Sequence, residues 1–241
     1  NLLSKYMKYK RKTFQNRELQ KECIKFREKE RAYIEGKIPK TGRSIKNYSV
    51  QLFPDIDEGK LLNSLVDKDY LDIACGINHL YPESLLCQLK GNKKRHGLDI
   101  HESKSKTKGI QYFKGSIYNI HLPKHSYDCI TINNFMYFWE SNPHKLLQMY
   151  KELYKLLKLN GKLRIFPVYY GNYYCDNVEL YDYLNENFMI QCLRPKKDYS
   201  KEAPIYLEKG EIKQTKPING MNEYKDSHEL MAHVIILQKI K

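Results

Sequence analysis

The stretch "YLDIACGINHL" (70–80) has the residue types of a ligand-binding turn. An apolar run carrying one acid, Asp72, opens into Ala74, Cys75 and Gly76, and Asn78 and His79 follow. Small residues at such a point let backbone N–H groups approach a ligand closely. A dinucleotide loop needs glycine where the pyrophosphate backs onto the helix N-terminus. Here Gly76 is the only glycine, and Asn78 and His79 put side chains into that space. The turn therefore suits a ligand with no phosphate there. Further on, Asp99 ends "RHGLDI" (95–100) about 20 residues later, where an acid can accept hydrogen bonds from both ribose hydroxyls. Ser116 and Ile117 follow "GIQYFK" (109–114) and can pair an adenine amino group and pack on its ring. S-adenosylmethionine, an adenosine joined to a sulfonium and an amino-acid tail, meets these demands.

These residues must be positioned by the elements around them, and hydrophobic periodicity predicts those elements. "DEGKLLNSLV" (57–66) reads as a short amphipathic helix and "DYLDIA" as the first strand. "YPESLLCQL" reads as a helix with Pro82 in its first turn, where the missing N–H matters little. Strands follow at 95–100, 109–114 and 126–133. The clearest helix is 143–158, with Leu146, Met149, Tyr150, Leu153, Leu156 and Leu157 on one face and Asn160-Gly161 as a left-handed cap. A strand at 162–168, a helix at 176–187, a strand at 188–194 and a last strand at 232–240 complete the pattern. Such alternation implies a mostly parallel sheet covered by helices on both faces, with ligands at the carboxyl ends of its strands. Only "HESKSKTK" (101–108) joins the second and third strands, which is short for a parallel crossover. Either that crossover is a single turn or one strand is misassigned.

The chain's 241 residues fit one large domain, or one domain with a helical appendage. We divide it into a basic helical extension at 1–42 and a main domain at 43–241, with "GKIPKTGRS" (36–44) as linker and 196–229 as a polar insertion. In residues 1–35, eleven Lys/Arg stand against five Glu, a net +6. Phe14, Leu19, Cys23, Phe26 and Ile34 recur at helical spacing, so the arm reads as one long helix, either a solvated lid or an arm facing nucleic acid. The whole chain carries a formal +14, which favours polyanions or reflects a Lys-, Asn- and Tyr-rich composition. The six cysteines form no C-x-x-C pair, which points to reduced thiols in a cytoplasmic or similarly reducing compartment rather than to disulfides or zinc. His121-x-x-x-His125 lies in a polar loop beside Pro123, and no metal is expected there. The longest apolar runs, such as Val234 to Leu237, are too short to span a bilayer. No signal peptide is visible, and a start at Asn1 rather than Met is compatible with a trimmed N-terminus.

Taken in order, four of these segments make the sequence resemble the class I S-adenosylmethionine-dependent methyltransferases. The family's h-h-D-h-G-x-G-x-G stands as "LDIACGIN", its acidic second strand end as "GLDI", and its G-D-h-x-x-L-P as "GSIYNIHLP" (115–123), with Ser116 replacing the acid. The fourth strand and helix, 127–165, follow the family's pattern through "LLKLNGKLRI". The resemblance covers about 57–195 plus the final strand. It implies a Rossmann-like sheet of about seven strands with the last antiparallel. By position it implies that Asp72 braces the loop, Ala74, Cys75, Gly76 and Asn78 border the methionine moiety, and Asp99 holds the ribose. Ile100, Ser116 and Ile117 would frame the adenine, and Asn133 would face the amino-acid tail. Arg43 and Tyr48, upstream, are candidates to close over the carboxylate. "CGINHL" is also similar to the C-G-x-N-P-L turn of aminoglycoside-resistance ribosomal RNA methyltransferases, with His79 where those have proline.

A sulfonium methyl is electrophilic already, so catalysis is largely alignment, and no catalytic residue is legible. "NNFMYF" after the fourth strand differs from N-P-P-Y or D-P-P-Y, which disfavours exocyclic base amines as acceptors. Tyr137, Trp139, Tyr169, Tyr170 and Tyr173 follow strands four and five, where aromatic rings can stack on a planar acceptor. The expectation is methyl transfer from S-adenosylmethionine, with S-adenosylhomocysteine as product, to a small molecule, a nucleic acid or a protein, the basic arm and the Tyr-rich strand ends favouring RNA slightly. The alternatives are a methyltransferase fold that has lost activity and acts as a binding module, and a nicotinamide-dependent oxidoreductase. The single-glycine loop speaks against the last.

Overall fold

The structure is a computed structural model, and it describes residues 31–32, 35, 41–103, 107–133, 143–168, 178–195, 205–208, 211–214 and 233–241. Arg31 and Ala32 are helical, while the rest of the predicted long basic helix lies outside the described residues.

A two-residue strand β1 (Thr41–Gly42) leads into α1 (Ile45–Gln51). Ser44 starts α1 through a capping box: its hydroxyl accepts from the Asn47 N–H, and the Asn47 side chain accepts from the Ser44 N–H. Asp57 caps α2 (Glu58–Leu65) by accepting from Gly59 N–H at 3.0 Å. Then come β2 (Tyr70–Ile73), α3 (Leu85–Gln88), β3 (Arg95–Asp99), β4 (Gln111–Lys114) and β5 (Tyr127–Asn133). The second half contributes α4 (Pro143–Leu156), β6 (Leu157–Val168), α5 (Val178–Asn187), β7 (Phe188–Leu193), β8 (Ile205–Glu208), β9 (Glu211–Gln214) and β10 (His233–Lys239).

Seven strands form one sheet in the order β4-β3-β2-β5-β6-β10-β7. β4 through β6 are parallel, and β10 runs antiparallel to both of its neighbours. Strand order reverses between β2 and β5, which makes their carboxyl ends the crevice where an open α/β sheet takes its ligand.

Alternate residues of each strand feed two separate cores, because successive side chains point to opposite faces. On one face Leu71, Ile73, Ile130, Ile132, Leu163 and Ile165 pack with the apolar side of α4 and with Leu180 and Leu184 of α5. On the other, Tyr70, Cys129, Phe166, Val234 and Ile236 pack with Tyr48, Leu52 and Phe53, with Leu61 and Leu65 of α2, and with Leu85 and Leu86 of α3. The result is the helix–sheet–helix sandwich that the alternation predicted.

Four local expectations change. The short crossover is real: β3 and β4 pair in parallel with Asp99 opposite Lys114, and the described residues between them hold no helix. Pro82 lies in a turn ahead of α3, whose four residues are capped by Ser84. The chain leaves α4 at Leu156 straight into β6, and Asn160 takes the left-handed conformation (φ 63°) within a bulge of that strand. Thr41 and Gly42, in the presumed linker, pair with Tyr206 and Ile205 of the polar insertion, so β1, β8 and β9 make a second, three-stranded sheet. Periodicity missed these short strands because two to four residues carry too little pattern.

Candidate functional site

Register lines up the candidate residues along one edge of the sheet. Ile73 lies opposite Leu98 and Ile132, Asp99 opposite Lys114, and Asn133 opposite Phe166. Ala74 to Gly76, Asp99 and Ile100, Ser116, and Asn133 therefore end four adjacent strands. Three inter-strand steps of about 4.8 Å give this row a span of about 14 Å.

The β2 turn is sharply bent. Ala74 and Gly76 both have left-handed backbone, at φ 54° and 51°. A Cβ on Gly76 would stand 2.1 Å from the Thr41 carbonyl oxygen, so β1 lies directly against the turn. The Ile77 N–H donates to that same carbonyl at 3.1 Å. Cys75 turns its sulfur into the body of the fold, where it approaches Gly97 so closely that a Cβ there would be 2.8 Å away. Only its backbone is available at the turn.

Asp72 is the hub beneath the turn. Its carboxylate is buried and accepts three hydrogen bonds: from Tyr48 Oη at 2.7 Å and Asn78 Nδ2 at 2.8 Å on one oxygen, and from Thr131 Oγ1 at 2.8 Å on the other. The Thr131 hydroxyl also meets Tyr70 Oη at 2.6 Å. Burial raises the Asp72 carboxyl from 3.8 to about 6, against the lowering effect of the three donors. Because the folded value lies above the unfolded one, the stabilising preference for the protonated form is complete below about pH 4 and lost as pH rises through about 6. Urea unfolding of the wild type and of Asp72→Asn should show the wild type losing about 2–3 kcal/mol relative to the variant between pH 4 and 7. The variant's amide fits if its Nδ2 faces Thr131, whose bond to Tyr70 can run in either direction. A difference that does not change with pH would contradict the raised carboxyl.

Asn78 and His79, expected to put side chains into the ligand space, are engaged by the protein itself. Both are buried, at 3% and 2% exposure. Asn78 Oδ1 accepts the Arg43 N–H at 2.7 Å, and its Nδ2 donates to Tyr48 Oη as well as to Asp72. His79 holds the short crossover: Nε2 meets Ser103 Oγ at 2.6 Å, its ring lies 4.3 Å from that of Tyr112, and its carbonyl accepts from Thr107 Oγ1. Tyr112 Oη in turn donates to the His101 carbonyl. These bonds tie the described residues His101, Ser103 and Thr107 of the short connection to His79 and Tyr112.

Asp99 sits at 3% exposure beside the turn. Its Oδ2 accepts the Gly76 N–H at 2.9 Å and its Oδ1 the His101 N–H at 3.1 Å. Ile100 is half-buried. Ser116 is exposed and its Oγ accepts the Tyr118 N–H at 3.3 Å, whereas Ile117 is buried in the core on the α4 face. Asn133 is buried at the end of β5. Tyr137, Trp139, Tyr169, Tyr170 and Tyr173 lie outside the described residues. Sequence reading missed Thr41, Tyr70 and Thr131 as supports of the turn. It named Tyr48 for a ligand carboxylate, but the Tyr48 hydroxyl is committed to Asp72 and Asn78. Asn78 itself was the available signal, since a buried amide in place of glycine needs partners for both of its ends.

Among the described residues no cluster of three or more His, Cys, Asp or Glu is arranged to hold a metal, and no helix is long and apolar enough to cross a membrane.

The family described as "Methyltransferase domain" matches residues 71–165, from β2 into β6. Among solved structures, the N-methyltransferase NodS from Bradyrhizobium japonicum, in complex with S-adenosyl-L-homocysteine, aligns at 10% identity over 76% of this chain and 83% of that one, with a TM-score of 0.45. An S-adenosylmethionine-dependent methyltransferase from Mesorhizobium loti aligns at 13% identity over 76% and 97%, with a TM-score of 0.44. A Haloferax volcanii complex between the Trm112 methyltransferase activator and a methyltransferase gives 11% identity over 81% and 91%, with a TM-score of 0.48. No curated protein sequence matches the chain. Residues 71–165 thus match a methyltransferase domain, and the sheet that carries them, in the order β4-β3-β2-β5-β6-β10-β7 with β10 antiparallel, is Rossmann-like.

Proposed function

We propose that the protein transfers a methyl group from S-adenosylmethionine to an acceptor bound at the carboxyl edge of its sheet. The observation that carries the reading is Asp99. Each of its oxygens accepts one backbone N–H, and a carboxylate oxygen has two acceptor sites. One site per oxygen is left, the number that two adjacent ribose hydroxyls require. The left-handed turn at Ala74 and Gly76 bends the chain at the end of β2 and delivers the Gly76 N–H to Asp99, without the glycines a pyrophosphate needs. The cofactor would thus run along the row of strand ends, with the ribose at Asp99, the adenine toward Ile100, Ser116 and the edge of Ile117, and the amino-acid tail over Ala74 to Gly76 toward Asn133. Asp72 acts from below by fixing the turn.

When bound, the cofactor supplies an electrophilic methyl, so what this chain contributes is alignment of the acceptor and exclusion of water. The basic extension at 1–42, ahead of the methyltransferase domain at 43–241, favours RNA as acceptor over a small molecule, because its net charge of +6 over residues 1–35 attracts phosphates.

Calorimetry with S-adenosylhomocysteine tests the reading, followed by transfer of labelled methyl to RNA at two salt concentrations. Binding is expected in the wild type, with affinity reduced about tenfold to a hundredfold in Asp99→Ala as two charge-assisted hydrogen bonds are lost. Absence of binding, or an Asp99→Ala variant with wild-type affinity, would sink the cofactor assignment. RNA labelling that is indifferent to salt would sink the role of the arm.

A further inference from the structure

Asn78 is bound on every side by this chain. Oδ1 accepts the Arg43 N–H at 2.7 Å, while Nδ2 donates to Tyr48 Oη at 2.6 Å and to Asp72 Oδ2 at 2.8 Å. Together with the Ile77 N–H on the Thr41 carbonyl, these bonds fasten residues 41–48 to the Gly76 turn from above and from the side. The fastened segment lies wholly outside the matched 71–165. It is held a second time farther along, where Ile45 N–H donates to the Glu83 carbonyl at 2.7 Å and the Ser44–Asn47 capping box begins α1. The segment carries a guanidinium too, that of Arg43, which donates to the Gly42 carbonyl at 3.2 Å.

We propose that Asn78 is a positioning residue of the cofactor site, latching residues 41–48 against the Gly76 turn as the wall that receives the amino-acid end of the cofactor. The inference rests on the reading that this turn binds S-adenosylmethionine. The direction follows from sheet order. With the ribose at Asp99 on β3 and the adenine toward β4, the part of the ligand beyond the ribose crosses β2, where Thr41 and Gly42 back onto the turn. Arg43 brings positive charge to that end, as a free carboxylate requires. An asparagine is needed because the latch must accept from a backbone N–H on one side and donate to Asp72 on the other. Glycine can do neither, and aspartate would set a second carboxylate against the first.

The test compares two ligands that differ only at the proposed wall. S-adenosylhomocysteine carries the amino-acid tail, and 5′-methylthioadenosine keeps the adenosine and sulfur without it. In Asn78→Ala and Asn78→Gly, affinity for S-adenosylhomocysteine is expected to fall about tenfold, the equivalent of one well-formed buried hydrogen bond. Affinity for methylthioadenosine should stay within about twofold. The Arg43 amide should exchange its hydrogen faster in both variants, while amides in β5 keep their protection. A role in stability alone would weaken both ligands equally, and that result, or unchanged affinity for both, overturns the proposal. Should Asn78→Ala fail to fold, Tyr48→Phe removes one strut while keeping the buried ring, and it should show the same asymmetry on a smaller scale. If the wild type binds neither ligand, the cofactor reading falls. Exchange at Arg43 then judges the latch by itself, and an unchanged rate in Asn78→Ala overturns it.

Discussion

Gly76→Ala is expected to lose S-adenosylhomocysteine binding by a hundredfold or more (~3 kcal/mol) while the rest of the fold survives. Two penalties coincide at this position. The backbone is left-handed (φ 51°), which disfavours any side chain by about 1–2 kcal/mol. The added methyl would also lie 2.1 Å from the Thr41 carbonyl oxygen, so either β1 or the turn has to move. Movement of β1 breaks the Ile77–Thr41 bond, and movement of the turn breaks the Gly76–Asp99 bond. Both outcomes disturb the proposed cofactor contacts. Gly91→Ala separates the two penalties, because Gly91 has φ 96° and nothing within 4 Å of the position its Cβ would take. That variant should show only the backbone cost, as a small drop in Tm, with ligand affinity unchanged. Equal effects on affinity in both variants would mean that the Thr41 contact is irrelevant to the site.

The second large effect is expected two strands away from Asp72, at Arg164, which lies opposite Thr131. This guanidinium lies on β6 at 3% exposure and makes a bidentate pair with Asp55, at 2.6 and 2.8 Å. It also donates to the Leu52 carbonyl at 2.9 Å and stacks over the Phe53 ring at 4.4 Å. It thereby pins the chain that leaves α1, the helix that carries Tyr48 to Asp72. Arg164→Ala leaves Asp55 and the Leu52 carbonyl without their donor, an expected loss of about 3–4 kcal/mol. For a domain of this size that lowers Tm by roughly 10 °C, readable by calorimetry or circular dichroism. Burial pushes the Asp55 carboxyl up, but the hydrogen bonds and charge of Arg164 prevail and hold it below its ordinary value. The pair's contribution is therefore present above about pH 4 and lost as pH falls through the lowered value. A wild-type and an Arg164→Ala protein that differ by the same amount at every acidic pH would contradict that assignment. With α1 released, cofactor affinity should fall as well, which distinguishes this anchor from a peripheral ion pair.

The sheet was legible in the sequence where pattern and function coincide. Tyr127 to Asn133 and His233 to Lys239 alternate or run apolar over seven residues, and α4 carries its apolar face through four turns, so periodicity alone finds them. The row of candidate residues was legible for a different reason. Small or acidic residues just past predicted strands are few, and an open α/β sheet brings strand ends together. The linker reading failed at Thr41–Gly42 because a two-residue strand exists only through its partner, Tyr206 and Ile205, which lies more than 160 residues away.

By itself, then, the sequence determined the class of fold and the row of strand ends on which the candidate residues stand. Both follow from local spacing: apolar period, strand length and the placing of small or acidic residues just past the strands. The tertiary structure alone decided what Asn78 and His79 do. In sequence both are polar side chains in a ligand loop, and nothing local distinguishes a group that meets the ligand from one that meets the protein. Burial decides, because an amide or imidazole taken out of water must find partners. Those partners, Arg43, Tyr48 and Asp72 for one and Ser103 for the other, converge only when distant segments close around the turn.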